Sequence, residues 1–148
     1  MTPRRIGWRE WIALPGFGVT AIKAKVDTGA ASSSLHAFGM VRFTGPDGRD
    51  CVRFQIQPRQ RSRAGRVTVE ADVIDERPVR NPGGRREIRP VIRTEVQWAD
   101  VVWTAEINLT SRDEMGFRML LGRRTVQNRF VIDPGSSYLG GRPITEES

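Results

Sequence analysis

Cysteine, histidine and lysine are almost missing from this chain of 148 residues: Cys51, His36, Lys23 and Lys25 are all it has. One cysteine excludes an intrachain disulfide. A zinc site takes three or four ligands from His, Cys and carboxylates, and the chain has neither a His-Glu-x-x-His nor a second cysteine. A Cys–His nucleophile would need Cys51 beside His36. As the first residue of Cys51-Val52-Arg53-Phe54-Gln55-Ile56, however, Cys51 reads as part of a strand. No apolar run approaches the ~18 residues of a membrane helix, and the N-terminus carries no signal-peptide core. The expectation is a cytoplasmic protein. Nor is there a Gly-x-x-x-x-Gly-Lys-Ser/Thr to cradle a phosphate, and Gly83-Gly84 alone cannot replace it.

Arginine fills the space that lysine leaves. Of 24 basic residues two are lysines, which leaves 22 arginines and a net charge of +7. Two stretches, residues 59–66 and 77–93, concentrate them. Such a field suits nucleic acid, an acidic peptide or an anionic surface, or is a solvated face with no partner. No aromatic residues interleave with these arginines, which argues against stacking on single strands and makes nucleic acid a weak candidate.

The hydrophobic pattern has period two, that of strands. Val52, Phe54 and Ile56 alternate with polar residues; so do Val67, Val69, Ala71 and Val73, and then Val101, Trp103, Ala105, Ile107 and Leu109. Turn signals at Pro15-Gly16, Gly45-Pro46-Asp47-Gly48 and Asn81-Pro82-Gly83-Gly84 separate these runs. The spacing predicts one all-β domain over residues 1–148, a sandwich or closed barrel. It has one hairpin around Pro46-Asp47-Gly48 and a longer one with its tip at residues 81–86, flanked by Val73-Ile74 and Val91-Ile92. A single short helix is expected from Leu121-Gly122-Arg123-Arg124 to about Arg129. Trp103 belongs to the core. Trp8 and Trp11, three apart on a strand, fall on opposite faces, so one of them is expected to be exposed.

The segment richest in chemistry is Asp27-Thr28-Gly29-Ala30. It follows an apolar strand, residues 19–26, with Ile22, Ala24 and Val26 on one face. That places a carboxylate on a tight turn, where the glycine admits close backbone approach. Far downstream, Leu120-Leu121-Gly122-Arg123 opens the expected helix.

These two segments, about 90 residues apart, resemble the signature of retropepsins, the single-lobed aspartic peptidases of retroviruses. More closely, the chain resembles bacterial retropepsin-like proteins named ATP-dependent zinc proteases and associated with RimK-type ATP-grasp ligases. The similarity runs through Ile6-Gly7-Trp8-Arg9-Glu10-Trp11, Ala24-Lys25-Val26-Asp27-Thr28-Gly29-Ala30 and Ser34-Leu35-His36-Ala37. It continues through residues 109–115, Leu120-Leu121-Gly122-Arg123-Arg124, Asn128-Arg129-Phe130, Asp133-Pro134 and Ser137-Tyr138-Leu139. After Ala30 that family carries a larger residue and then Thr-Ser-Ala. Here Ala31-Ser32-Ser33-Ser34 stands instead, which points to altered substrate contacts.

The resemblance implies a closed barrel of the acid-protease type with a single lobe. It implies a homodimer in which each copy supplies Asp27, the two carboxylates sharing one proton and activating a water. Thr28 would bond across the dyad and hold the two turns together, Gly29 would allow the backbone approach, and Ala30 would border the substrate. Leu120, Leu121, Gly122 and Arg123 would support the active turn, and Gly83, Gly84 and Arg85 would form a flap over the peptide. The family label implies zinc and ATP, and the residues support neither; His36 reads as structural. An internal second acid, Asp133 of Asp133-Pro134-Gly135-Ser136, is the weaker choice, because Pro134 has neither a hydroxyl nor an N–H to share. The arginines and the ligase association together suggest an acidic, glutamate-rich peptide as substrate. Two other functions compete: a catalytically weak binding or regulatory module of an ATP-grasp ligase, and an arginine-rich nucleic-acid binder.

Overall fold

Alternation of apolar residues dictates the strands, and residues remote in sequence decide their neighbours. The computed structural model describes residues 3–59, 62–80, 83–111 and 116–143. Its elements are β1 (Arg4–Leu14), β2 (Val19–Val26), β3 (Ser33–His36), β4 (Phe38–Thr44), β5 (Asp50–Ile56) and β6 (Val67–Asp72). They continue as β7 (Asp75–Arg80), β8 (Arg86–Trp98), β9 (Val101–Thr110), β10 (Met119–Leu121), α1 (Arg123–Val126) and β11 (Phe130–Ser137).

The main sheet runs β11-β1-β2-β10-β3-β9-β8-β7. A further pairing of Ala13 in β1 with Gln97 in β8 brings the sheet back onto itself, so six strands close a ring. Two pairs in the ring are parallel, β2 with β10 and β3 with β9. The short β10 lies between β2 and β3, hydrogen-bonded to both. β4, β5 and β6 form a separate three-stranded sheet.

One contiguous core results. Ile12, Ile22, Leu35, Ile92, Ile107, Leu109 and Leu121 are buried in it, and Phe54 and Ile56 join from the smaller sheet. Each such side chain contributes about 1.5–3 kcal/mol by leaving water. Phe17, in the 3-10 turn after β1, meets Phe54 edge-on at 5.9 Å and couples the two sheets.

Local chemistry shapes the turns. In the β4–β5 hairpin Gly48 takes a φ of 76°, which a side chain disfavours, and its N–H reaches the Gly45 carbonyl at 3.0 Å. The longer hairpin joins β7 and β8, with Arg80 opposite Arg86; its tip residues 81 and 82 lie outside the described residues. β7 starts at Asp75, so Ile74 stays outside the strand and donates its N–H to the Val91 carbonyl at 2.8 Å.

Two expectations need correction. The helix ends at Val126, one turn long, instead of reaching about Arg129. Gln127 is extended and Asn128 left-handed (φ 66°), so the chain turns at once to place Phe130 in the core. Neither Trp8 nor Trp11 is exposed: both are half-buried. Trp8 packs edge-on against Phe117 at 5.9 Å, and Trp11 stacks on Tyr138 at 5.5 Å. Side chains arriving from other segments cover the outer face that alternation assigns to water. Trp103 is buried, its indole N–H bonded to the Thr125 carbonyl at 3.1 Å.

Candidate functional site around the Asp27 turn

The Asp27 turn is held from below by the segment that follows β10. β2 and β10 run parallel with Val26 opposite Leu121, and the next N–H, that of Asp27, donates to the Leu121 carbonyl at 2.9 Å. The turn closes through Ala30 N–H to the Asp27 carbonyl at 3.2 Å. Arg123 grips it twice. Its N–H reaches the Ala30 carbonyl at 2.7 Å, and its guanidinium donates to the Thr28 carbonyl at 3.0 Å. The Asp27 side chain is half-buried, with Oδ1 accepting the Gly29 N–H at 3.0 Å. Oδ2 makes no hydrogen bond among the described residues, so it remains available to an incoming group.

Gly122 cannot carry a side chain here, since a Cβ would lie 2.4 Å from the Ser32 carbonyl oxygen. The Gly122 N–H donates to the Ser33 hydroxyl at 2.9 Å, and that hydroxyl also shares a hydrogen with Thr125 at 2.5 Å. Ser33 and Ser34 are buried. Two residues of the Ala31-Ser32-Ser33-Ser34 segment therefore serve the fold under the turn.

Residues 5–143 match the RimB-like family, described as retropepsin-like aspartic endopeptidase RimB. The chain belongs to that family. Proteins named probable alpha-L-glutamate ligase from Parasynechococcus marenigrum and Desulfotalea psychrophila are 46% and 44% identical to it, over 91% and 97% of this chain. The RimB-like chain spans only 29% and 30% of those proteins' own lengths. A solved structure from Legionella pneumophila, of a protein described as having unknown function, superposes with a TM-score of 0.78 at 26% identity. It covers 94% of this chain and 99% of that one.

No hydrogen bond joins Asp133, the other acid considered in this RimB-like chain, to Asp27 among the described residues. Its Oδ1 accepts the Gly135 N–H at 3.0 Å, its Oδ2 the Ser136 hydroxyl at 2.8 Å, and Arg5 lies 3.7 Å away. The Ser136 hydroxyl first, then the Gly135 N–H, hold its carboxyl below the usual range. It is a turn-forming acid on β11. Gly83, Gly84 and Arg85 sit exposed at the β7–β8 tip, with Gly84 left-handed at φ 81°.

Sequence reading missed a buried polar row on β3, β8 and β9. Asn108 Oδ1 accepts from the Ser34 hydroxyl at 2.9 Å and from the Arg89 guanidinium at 3.0 Å. Arg89 also bonds Glu87, which accepts the Thr110 hydroxyl at 3.4 Å. It missed Glu10 too. This fully buried carboxylate takes four N–H donors: Gly7 at 2.6 Å, Trp98 Nε1 at 2.9 Å, Leu139 at 3.0 Å and Gly140 at 3.1 Å. Glu10 thereby fastens the segment after β11 to β1.

The residues do not fit the zinc that the family label implies. The Nδ1 of His36 faces the Arg118 guanidinium at 3.2 Å, and its ring stacks on Phe38 at 4.3 Å. Burial first, then the hydrogen bond to Asp72, push the Cys51 thiol up, away from the thiolate a metal needs. No three His, Cys, Asp or Glu side chains converge among the described residues. There, too, no helix is long and apolar enough to cross a membrane.

Proposed function

We propose that this chain is an aspartic peptidase unit that works when two copies face each other and each contributes Asp27. The observation that carries this reading is the Asp27 turn itself. Backbone bonds to Leu121 and Arg123 fix one carboxylate in place, and Oδ2 is left open. With Asp133 occupied by its own turn, the partner acid comes from a second chain. Two carboxylates about 3 Å apart cannot both ionise, so one holds the proton and the other takes one from water. The water attacks the peptide carbonyl; the protonated carboxyl stabilises the developing oxyanion and then delivers a proton to the leaving nitrogen. Thr28 and Gly29 are the points of contact between the two turns, and Ala30 borders the substrate. Leu120, Leu121, Gly122 and Arg123 act as the platform. Gly83, Gly84 and Arg85 close over the peptide and exclude water. The substrate suggested by the basic surface is an acidic, glutamate-rich peptide.

Hydrolysis of glutamate-rich and neutral peptides by the wild type and by Asp27→Asn tests this, with sedimentation reporting the dimer. Loss of cleavage at least ~10³-fold with the fold and dimer intact supports the reading. Unchanged cleavage by Asp27→Asn, or a stable monomer that cleaves, ends it. Equal rates on acidic and neutral peptides would remove the substrate assignment alone.

A second reading has its own observation. The curated relatives are named as ligases, and the chain matches under a third of their length. The chain would then be a regulatory or binding module acting on an ATP-grasp ligase. Altered ligase turnover on adding the Asp27→Asn chain, with no proteolysis by the wild type, would favour it.

A further inference from the structure

Most arginines of the main sheet and its small neighbour have an acid to hold. Arg42 pairs with Asp50 and Glu76, Arg49 with Asp72, Arg77 with Asp75 and Glu106, and Arg93 with Glu106. Arg77 first and then Arg93 hold the Glu106 carboxyl below its ordinary range, as expected of satisfied pairs. Even the cleft of about 230 Å³ beside α1, where Arg77, Arg124 and Arg129 meet, contains Glu106.

A second concavity, about 240 Å³, breaks that rule. Lys23, Arg59, Arg118 and Arg142 line it with Trp11, and among the described residues no carboxylate does. Lys23, Arg59 and Arg142 make no side-chain hydrogen bond or ion pair among the described residues. Lys23, Arg59 and Arg142 around one hollow repel each other, a cost that a ligand bearing negative oxygens would offset. The hollow is also built from remote segments. Trp11 and Lys23 face each other across the β1–β2 ladder, Arg118 precedes β10, and Arg142 follows β11.

Arg142 is placed with particular care. Its guanidinium lies over Trp11, 4.3 Å from the ring centre, while Tyr138 stacks nearby on the same indole. The buried Glu10 carboxylate anchors the chain between these residues through the Leu139 and Gly140 N–H groups. A cation–π contact holds the guanidinium without using its N–H donors, which stay free for a ligand. Trp11 is already covered, so the hollow offers no open aromatic face to stack a base.

We propose that this hollow is a binding site for a compact multivalent oxyanion: a phosphate group, or carboxylates carried close together. Lys23, Arg142 and Arg59 contact the ligand, and Trp11 forms the wall. Lys23 lies four residues before Asp27, about 13 Å along an extended chain, so the site is separate from the Asp27 turn. It stands whether or not Asp27 is catalytic.

Calorimetric titration of the full chain with inorganic phosphate, and in parallel with triglutamate, tests the site. Lys23→Ala, Arg142→Ala and the control Arg93→Ala, whose arginine is already paired, are titrated alongside. Saturable binding is expected, weakened about tenfold by either site variant, unchanged by Arg93→Ala, retained by Asp27→Asn and reduced by added salt. Phosphate binding without triglutamate binding assigns a phosphate site. Triglutamate binding that phosphate displaces assigns carboxylates. Absence of saturation by both at 10-millimolar order, or equal weakening by Arg93→Ala, overturns the proposal. A thermal scan of each variant separates lost binding from lost fold, and because Asp27→Asn binds normally in this scheme, failure of catalysis and failure of the site remain distinguishable.

Discussion

The Cα of Gly122 lies against the carbonyl of Ser32 so closely that a methyl group has no place to go: its carbon would sit 2.4 Å from the oxygen and 2.9 Å from the Ala30 carbonyl. Both contacts are backbone, and neither can swing aside. The segment after β10 and the loop after the Asp27 turn are thus packed to contact. Gly122→Ala is expected to destabilise the fold by about 1–3 kcal/mol, the usual range for overpacking. Urea unfolding measures it, and a loss below about 0.5 kcal/mol would show that the two segments are looser than described.

Ser33→Ala removes the acceptor for the buried Gly122 N–H and the partner of the Thr125 hydroxyl. Leaving these groups unsatisfied is expected to cost about 1–3 kcal/mol. Ser33→Cys, similar in size but a weak acceptor, should recover the packing and little of the hydrogen bond. Full recovery by cysteine would mean that volume alone matters there.

Glu10→Gln is predicted to be severe for so small a change. All four neighbours of the carboxylate are N–H donors, so an amide NH2 faces donors whichever way it turns. Breaking a buried charged group's bonds costs about 3 kcal/mol or more. Amide exchange should speed up first at Leu139 and Gly140. If those amides stay protected in the variant, Glu10 is not what anchors the segment.

Acid should weaken the fold through Asp133 and Glu106, whose pKa values are lowered in the folded chain, by Ser136 and by Arg77 respectively. A depressed carboxyl stabilises the fold above its unfolded pKa, near 4, and that contribution is lost as pH falls through the folded value. The melting temperature should therefore drop below about pH 4. Asp133→Asn should lower it at pH 7 and flatten the acid slope. An unchanged slope would place the acid sensitivity elsewhere.

How much of this was legible beforehand depends on whether a feature is local. Asp27-Thr28-Gly29 after an apolar strand, and Leu120-Leu121-Gly122-Arg123 before a helix, are local patterns, and the structure brings these two together. Hairpin turns such as Gly45-Pro46-Asp47-Gly48 are equally local. Glu10 was not legible, because a charged residue among tryptophans on a strand reads as solvated until two remote segments, at Trp98 and at Leu139-Gly140, supply most of its donors. The Ala13–Gln97 pairing that closes the ring leaves no mark in either strand's periodicity. The helix stopped early for a tertiary reason, the pull of Phe130 into the core. Trp8 and Trp11 followed the same logic, covered by Phe117 and Tyr138 from far along the chain.

The position of β10 between β2 and β3 also orders events in time. Residues 19–36 cannot complete their hydrogen bonds until residues 119–123, nearly a hundred positions later, have arrived. Closing so long a loop is slow relative to local pairing, so the β4–β5–β6 hairpins, joined through residues 45–49 and 57–66, have time to form first. The turn that carries Asp27 is then among the last parts of the molecule to become rigid. A chain interrupted before residue 119 would hold every atom of Asp27-Thr28-Gly29 and still lack the frame that gives the carboxylate its direction.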